Sequence, residues 1–290
     1  MKHVILTPNP YRDKDFQTVR TAIRILKEAG IEPKVCLPFE VDRSFELPKD
    51  IRFHRLDREI HNTELVICFG GDGTILHMAK TATRKNVPIL GVNIGTLGFM
   101  AELESSELEM LAKLATDDYT LDKRMMLDVV VQRDRDIIFH DIGLNDVAIT
   151  KGSVARIAHL GVRIDGTEAM QCGGDGIIVA TPTGSTAYSL SAGGPIVEPE
   201  AHNILITPIC AHDVMSRCMV ASDKRTVTVE LIQNARRSAY LSVDGGKSLR
   251  LNMGDVTTIK KSPMVTKLVR LKDRSFYDVV NAKFKNNGVG

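Results

Sequence analysis

The residues best suited to chemistry lie in one short run, Gly70-Gly71-Asp72-Gly73-Thr74. The run follows an apolar segment, 65–69, that is typical of a buried strand, and it precedes a segment, 75–84, with the pattern of a helix. A glycine turn between a strand and a helix lets backbone N–H groups approach a phosphate, which the positive end of the helix also attracts. We therefore interpret the turn as a phosphate cradle, formed by Gly70, Gly71, Gly73 and Thr74.

Asp72 adds a carboxylate to this turn. A negative charge beside a phosphate site is unfavourable unless the carboxylate accepts a proton or meets a metal ion. In phosphoryl transfer, a general base that takes the proton of the attacking hydroxyl contributes about 10²–10⁴ in rate. If the Thr74 hydroxyl caps the helix, the Asp72 carboxylate stays free for this role. The alternative is a structural turn in which Asp72 caps its own backbone. His77, one turn into the helix, either faces back toward the turn or is solvated.

The tetrapeptide Gly-Gly-Asp-Gly occurs again at 173–176, where it precedes an apolar run, 177–180, instead of following one. In this context it indicates a β-turn or a bulge at the start of a strand. The next fifteen residues, 181–195, contain seven Ser, Thr and Tyr residues. Hydroxyls at this density around a helix start near 185 suit a polar ligand such as a ribose or the edge of a base, and Tyr188 could stack on a planar ring. The alternative is a Ser- and Thr-rich loop with ordinary helix caps.

Two polar residues, Asn145-Asp146, interrupt an otherwise strand-like pattern over 137–150. Polar side chains in an apolar run are unfavourable unless a partner satisfies them. The hydroxyl groups of a ligand are one candidate partner, and a β-bulge at the edge of a sheet is the alternative explanation.

The order of strand and helix patterns predicts how these motifs are positioned. In the first part of the chain, strand patterns at 3–7, 31–37, 65–69 and 87–92 alternate with helix patterns at 14–29, 56–62 and 75–84. This alternation predicts a parallel sheet with helices on both faces, in which ligands bind beyond the carboxyl ends of the strands. Both glycine turns of this part, 70–74 and 93–99, follow strands and so belong at that edge.

After about residue 118, short strand patterns separated by turn dipeptides such as Asp165-Gly166 and Asp244-Gly245 dominate. We therefore predict two domains, an N-terminal Rossmann-like parallel α/β domain over 1–118 and a C-terminal β-sandwich-like domain over 119–265. The helical pattern at 276–284 indicates that the last segment, about 266–290, packs back on the first domain.

Composition narrows the class of protein and its partners. The chain has 290 residues, is 43% hydrophobic and 26% charged, and carries a net charge of +2. These values are ordinary for a soluble globular protein and give no reason to expect nucleic acid or a membrane as a partner. The five cysteines include no Cys-x-x-Cys pair, and no apolar run reaches membrane-spanning length, so we expect a cytoplasmic protein with reduced thiols.

Two common motifs receive little support. The spacing Cys210-x-His212-x5-Cys218 resembles a zinc site only loosely. No Gly-x-x-x-x-Gly-Lys-Ser/Thr run is present, so a nucleotide site in this chain is not a Walker P-loop.

Taken together, the motifs resemble those of the NAD kinase family, whose members phosphorylate NAD to NADP. The resemblance rests on the Asp72 turn, on Asn145-Asp146 and on Asp175-Gly176 followed by 181–188, with further similarity at 93–99, 242–245 and 276–279. It implies an active site in the cleft between the two domains, where Asp72 meets the 2′-hydroxyl of the adenosine ribose as the general base.

The resemblance also implies a set of NAD-binding residues. These are Asp72, Gly73, His77, Asn145, Asp146, Arg156, Gly173, Asp175, Thr186, Ala187, Tyr188, Ser189, Leu190 and Ser191. The small molecules NAD and ATP are the implied partners, with Mg²⁺ carried by the donor's phosphates and no protein side chain assigned to the metal. ATP, another triphosphate and polyphosphate all stay open as donors, as does acceptance of NADH. Members of the family are usually homodimers or homotetramers.

The chain departs from the family pattern in two places. The segment from Ala211 to Cys218 lacks both prolines of the family's Pro-His-x-Leu-x-x-Arg-Pro, and Asp244-Gly245 is followed by Gly246 instead of Gln.

Two other functions share part of the pattern: a lipid kinase with the same glycine turn, and a non-enzymatic regulator that binds a dinucleotide. The 181–188 segment argues against the first, and Asp72 argues against the second.

Overall fold

Two units make up the chain in the computed structural model, which describes residues 3–42, 44–95, 98–152, 157–212, 215–232 and 239–287. Unit 1 comprises Met1–Lys123 together with Thr266–Gly290, and unit 2 comprises Arg124–Val265. The chain therefore leaves unit 1 once and returns to it near its C-terminal end.

A parallel sheet lies at the centre of unit 1. Its strands are β1 (His3–Pro8), β2 (Glu32–Cys36), β3 (Phe53–His54), β4 (Leu65–Gly70), β5 (Ile89–Asn93) and β6 (Leu103–Glu104). They pair in the order β3-β2-β1-β4-β5, and β6 pairs with β5, all in parallel. β4 and β5 are buried over their whole length, as expected for strands covered on both faces. The predicted parallel sheet is confirmed.

Helices pack on this sheet. They are α1 (Gln17–Glu28), α2 (Leu56–Glu59) and α3 (Asp72–Arg84), with 3₁₀ helices at Lys14–Phe16, Ile60–Asn62 and Ser105–Thr116. The last of these was not predicted from the sequence. Its leucines at 108, 111 and 114 recur every third residue, which is the period of a 3₁₀ helix, and they join the core of unit 1.

Two antiparallel sheets enclose the core of unit 2. Their strands are β7 (Thr120–Arg133), β8 (Asp136–Gly143), β9 (Asp146–Lys151), β10 (Ala158–Ile164), β11 (Thr167–Gly174), β12 (Gly176–Ala180), β13 (Asn203–Ile209), β14 (Met219–Ser222), β15 (Val227–Leu231), β16 (Ala239–Val243), β17 (Leu249–Leu251) and β18 (Val256–Arg270). One sheet has the order β14-β13-β12-β9-β16-β17. In the other, β15 pairs with β10 and β18, and β10 pairs with β11.

Side chains from both sheets of unit 2 meet in one core. Leu160 and Val229 come from the second sheet, and Val147, Ile177 and Val179 come from the first. Two sheets packed face to face in this way form a sandwich. The predicted mostly-β second half is confirmed.

Two helices complete the fold. α4 (Tyr188–Ser191) follows β12 and a 3₁₀ helix, Thr183–Thr186, and α5 (Phe276–Asn287) lies in the C-terminal part of unit 1. The end of β18 belongs to unit 1, where Leu268 pairs in parallel with Ile89 and Val269 enters the core. In the described ranges, no helix is both long and apolar enough to cross a membrane.

Candidate active site

The helix after the first glycine turn begins at Asp72, three residues earlier than its pattern predicts, with Gly71 as the cap. No side-chain hydrogen bond caps this helix, so the Thr74 hydroxyl does not have the capping role considered from the sequence. Thr74 lies buried within the first turn, where its hydroxyl oxygen accepts a hydrogen bond from the Asn9 side chain at 3.2 Å. The first N–H groups of a helix have no partner inside it, so they can bind an anion.

The Asp72 carboxylate is held in one orientation. Its Oδ2 accepts the backbone N–H of Phe99 at 2.7 Å, and its Oδ1 accepts that of Met100 at 3.0 Å. The expectation that this carboxylate is free is therefore wrong. The contact requires glycine at position 98, because a Cβ there would overlap the carboxylate. Each carboxylate oxygen has two lone pairs, so each can still accept one further hydrogen bond, for example from a hydroxyl group.

The two glycine turns of unit 1 lie at the same edge of the sheet, as predicted. The N–H of Ile94 donates to the carbonyl oxygen of Gly70 at 2.7 Å. Residues 96–97 of the second turn lie outside the described residues. The end of that turn supplies Phe99, so the second turn positions the carboxylate that the first turn carries.

A cavity of about 370 Å³ opens at the start of α3. Its lining includes Asn9, Arg12, Phe39, Asp72, His77 and Lys283. His77 is exposed, and its ring meets that of Phe39 edge-on with the centroids 5.6 Å apart. His77 therefore both lines the cavity and contacts solvent.

Sequence reasoning missed four residues of this cavity, Asn9, Arg12, Phe39 and Lys283. Arg12 follows β1, which pairs in parallel with β4 and so ends at the same edge of the sheet as Gly70. Position after a strand of a parallel sheet is a signal that could have identified Arg12. Lys283 lies on α5, and nothing in the local sequence indicates its contact with this edge.

In unit 2, the pair Asn145-Asp146 lies where two strands meet, and the prediction of one continuous strand over 137–150 is wrong. β8 ends at Gly143 and β9 begins at Asp146. The N–H groups of Leu144, Asn145 and Asp146 donate to the Asp244 carboxylate at 2.8, 2.8 and 3.1 Å. One side chain thus takes the place of a neighbouring strand and satisfies three backbone donors.

The Asn145 side chain carries an unsatisfied acceptor. Its Oδ1 is buried and has no hydrogen-bond partner among the residues that the structure describes. The position of Asn145 is fixed from a second side, because its carbonyl oxygen accepts the N–H of Thr181 at 2.9 Å and would overlap a Cβ at Gly184. A buried acceptor without a partner is unfavourable by about 1–3 kcal/mol, so a donor from a ligand would suit this position.

The neighbouring carboxyl group of Asp146 is only 6% exposed. Burial raises its pKa from 3.8 to about 7, and the negative charge of Asp244 adds to the rise. Near neutral pH, Asp146 is therefore present in both protonation states. Its protonated form can donate a hydrogen bond as well as accept one.

Two buried hydroxyl groups of the segment after β12 form hydrogen bonds with other residues of the protein. Thr181 donates to the carbonyl oxygen of Leu144 at 2.6 Å. Ser189 is fully buried, and its hydroxyl lies 2.8 Å from that of Thr207. These contacts hold the segment in place.

The other proposed ligand residues of this segment are accessible to different degrees. Tyr188 is 43% exposed and Ser191 is exposed, whereas Thr186, Ala187 and Leu190 are half-buried. The Thr186 hydroxyl donates to the carbonyl oxygen of Thr183 at 3.2 Å. The ring of Tyr188 is thus the most open group on which a planar ligand could stack.

The second Gly-Gly-Asp-Gly joins β11 to β12 as a turn at the entry to a strand, as predicted. Asp175 lies between the strands and forms an ion pair with Lys151 at 2.6 Å. Gly173 is half-buried, and its carbonyl oxygen accepts the N–H of His212 at 2.8 Å. Arg156 lies outside the described residues.

No group of three or more His, Cys, Asp and Glu side chains in the described part of the chain could hold a metal ion. Cys210 and Cys218 are exposed free thiols. With His212 they form no such group among the described residues.

Comparison with known proteins identifies the family. The family model described as the ATP-NAD kinase N-terminal domain matches residues 4–119, and that of the ATP-NAD kinase C-terminal domain matches residues 144–271. The NAD kinase of Acetivibrio thermocellus is 38% identical over 289 residues, which cover 99% of this chain and 99% of that protein. The NAD kinase of Natranaerobius thermophilus is 43% identical over 221 residues, which cover 76% of this chain and 77% of that protein.

Two solved structures share the fold. Yeast NADH kinase complexed with NADH has a TM-score of 0.85 at 24% identity and covers 100% of this chain and 89% of its own. The NAD kinase from Archaeoglobus fulgidus in complex with ATP has a TM-score of 0.74 at 26% identity. The match covers 98% of this chain and 99% of that protein. These likenesses confirm the predicted fold class, an α/β N-terminal part followed by a mostly-β part.

The matching family models and the curated relatives define a phosphotransferase. The chain belongs to the NAD kinase family. The resemblance inferred from the motifs is therefore confirmed, and the alternatives of a lipid kinase and of a non-enzymatic regulator lose their support.

Proposed function

We propose that this enzyme transfers the γ-phosphoryl group of ATP to the 2′-hydroxyl of the adenosine ribose of NAD and so forms NADP. Support comes from membership of the family, from relatives named NAD kinase and from the Archaeoglobus fulgidus NAD kinase that was solved with ATP. The observation that carries the proposal is the Asp72 carboxylate, which two backbone N–H groups hold beside the cavity at the start of α3.

In the proposed reaction, Asp72 is the general base. A lone pair on its carboxylate accepts the hydrogen bond of the 2′-hydroxyl and takes the proton as that oxygen attacks the γ-phosphorus. The bond from the γ-phosphorus to the bridging oxygen breaks, and ADP leaves with that oxygen and its electron pair. Because Phe99 and Met100 fix the carboxylate, little reorganisation is needed when the proton moves.

The proposed NAD contacts keep the residues inferred from the sequence, and their surroundings refine three roles. Asn145 offers a buried acceptor, Asp146 a carboxyl group of raised pKa, and Tyr188 an exposed ring for stacking. Ser189 stays among the proposed contacts, and its hydroxyl also holds the segment through that of Thr207. The remaining proposed contacts are Gly73, His77, Arg156, Gly173, Asp175, Thr186, Ala187, Leu190 and Ser191.

Mg²⁺ enters this proposal as part of the substrate, bound to the phosphates of ATP. Within the described ranges no group of metal-ligating side chains is present to hold it, so no protein ligand is assigned. We also propose that the enzyme is a homodimer or a homotetramer and acts in the cytoplasm. Light scattering of the purified protein measures the assembly.

One assay tests the proposed function. The purified protein is incubated with NAD and Mg-ATP, and NADP is detected with an NADP-specific dehydrogenase. Formation of NADP that requires the donor supports the proposal. If no NADP forms with ATP, another nucleoside triphosphate or polyphosphate, the proposal is wrong. NADH in place of NAD shows whether the reduced dinucleotide is also accepted.

A further inference from the structure

Two cations from opposite ends of the chain line the cavity that contains Asp72. Arg12 lies in the loop after β1, and Lys283 lies on α5. We propose that Arg12 and Lys283 bind the phosphate chain of the phosphoryl donor and hold it beside Asp72. The inference rests on the proposed function, and neither residue belongs to the motifs at 70–74, 145–146 or 173–191.

The glycine turn sets the position of Arg12. A Cβ at Gly71 would lie 2.9 Å from Nη1 of Arg12, and a Cβ at Gly95 would lie 3.9 Å from the same atom. The guanidinium group therefore lies close against the backbone of the turn, and a side chain at position 71 would displace it. Since Gly71 is the cap of α3, a phosphate that bound Arg12 would also lie at the start of that helix.

No carboxylate of the described residues neutralises Arg12. Within the described ranges Arg12 has no ion pair, and the acid next to it in sequence, Asp13, is committed elsewhere. The buried carboxylate of Asp13 accepts the N–H groups of Thr18 and Val19 at 2.9 and 3.0 Å. The guanidinium group therefore presents its N–H donors to the cavity, and its planar fork matches two oxygens of a phosphate.

Lys283 brings a second positive charge to the same cavity. Its Nζ lies 4.7 Å from the centroid of the Phe99 ring. The N–H of Phe99 in turn holds Oδ2 of Asp72 at 2.7 Å. The ammonium group is thus placed over the residue that orients the base, where it can act as a compact point charge for a phosphate.

Electrostatics explain why this cavity needs cations. A triphosphate brings several negative charges to the Asp72 carboxylate, and like charges in close proximity repel each other. Arg12 and Lys283 are the Arg and Lys side chains of the lining. They offset this repulsion, and in doing so they recognise the phosphates of the donor and not its base.

The test measures binding of inorganic tripolyphosphate to the full chain by isothermal titration calorimetry in a buffer that contains Mg²⁺. We expect Arg12→Gln and Lys283→Gln each to weaken binding about tenfold or more, and Arg12→Lys to keep part of the affinity. Lys285→Gln, at an exposed position on the same helix, is the matched control and should bind as tightly as the wild type. Thermal melting verifies that each variant is folded. If Arg12→Gln does not fold, tripolyphosphate binding is compared between the wild type, Arg12→Lys and Lys283→Gln.

The activity assay gives a second readout. In Arg12→Gln and Lys283→Gln, the KM for ATP should rise about tenfold or more while the KM for NAD changes less than about threefold. The inference is overturned if both variants bind tripolyphosphate as the wild type does, or if the wild type does not bind it. A wild type that binds tripolyphosphate through these residues but forms no NADP contradicts the proposed function and leaves this inference intact.

Discussion

Arg270 donates a hydrogen bond to the carbonyl oxygen of Met100 at 3.2 Å, and the N–H of the same Met100 donates to the Asp72 carboxylate at 3.0 Å. Arg270 is itself fixed by two carboxylates. Asp122 accepts from its Nε and Nη2 at 3.1 and 2.9 Å, and Glu102 accepts from its Nη1 at 3.2 Å. The backbone of one residue, Met100, therefore connects the proposed base to an ion-pair network in which Glu102 is only 5% exposed.

Replacing Arg270 should disturb the orientation of Asp72 without removing a substrate contact. We expect Arg270→Gln to lower kcat about tenfold or more and to change the KM values for NAD and ATP less than about threefold, because the carbonyl group of Met100 loses its hydrogen bond to Arg270. Arg270→Lys should recover part of kcat. Steady-state formation of NADP measures both constants. Arg274→Gln, at an exposed position, is the control, and a kcat for Arg270→Gln equal to that of the control would refute the connection.

Substituting the base itself should separate binding from turnover. Asn at position 72 keeps an oxygen that can accept one of the two N–H groups, but it has no carboxylate to take the proton. We expect Asp72→Asn to bind NAD about as tightly as the wild type and to turn over about 10²-fold more slowly or worse. Calorimetry with NAD measures the first quantity and initial rates measure the second. Turnover at the wild-type rate would exclude Asp72 as the base.

Asp146 should lower the stability of the protein as the pH rises. The pKa of its carboxyl group is raised from 3.8 to about 7 by burial and by the charge of Asp244, so the folded state keeps a proton that the unfolded state has lost. Its contribution to the free energy of unfolding should therefore be most favourable below about pH 4, fall up to about pH 7 and stay constant above that. The total fall is at most about 4 kcal/mol.

Urea unfolding at about pH 5 and about pH 8 measures this effect of Asp146. Asp146→Asn removes the titrating group, so its stability relative to the wild type should be greater at the higher pH. Asp136→Asn, at an exposed position of the same unit, should show the same difference from the wild type at both pH values. A pH-independent difference for Asp146→Asn would contradict the expected titration.

Removing the Asp244 carboxylate should leave three backbone donors unsatisfied. We expect Asp244→Ala to lower the free energy of unfolding by about 2–4 kcal/mol and to raise the KM for NAD, because Asn145 is no longer held. Asp165→Ala is a matched control. Asp165 also precedes a glycine and has a positive φ of 49°, close to the 53° of Asp244, but its carboxylate accepts one backbone N–H, that of Thr226.

Urea unfolding and NADP formation measure both Asp244 effects. Asp165→Ala should cost less than about half as much stability and leave the KM for NAD unchanged. Equal losses in the two variants would show that the Asp244 carboxylate has no special role in holding the turn.

Local patterns predicted the elements that carry the motifs but not their limits. The strand before Gly70 and the helix after it were predicted because a buried strand and an amphipathic helix each leave a periodic pattern within about ten residues. The start of α3 was predicted three residues late, because Gly and Asp are weak helix formers in general. An acidic residue is nevertheless favourable in the first turn of a helix, and Asp72 lies there.

Long-range contacts explain the other errors. The strand over 137–150 divides because Asn145 gives its N–H to Asp244, which is 99 residues away. The Asp72 carboxylate is not free, because residues 27 and 28 positions further along the chain donate to it. No window of sequence contains both partners of either contact.

The sequence by itself determined the family, the fold class and the place of the Asp72 turn, because these depend on residue types in short contiguous segments. Only the tertiary structure decided what surrounds Asp72: the N–H groups that hold it, and the cations Arg12 and Lys283 that share its cavity. The physical reason is that a pattern along the chain indicates which positions are buried, but not which distant segments meet. That is decided when parallel strands pair and bring their ends, together with the returning C-terminal segment of unit 1, to one edge of the sheet.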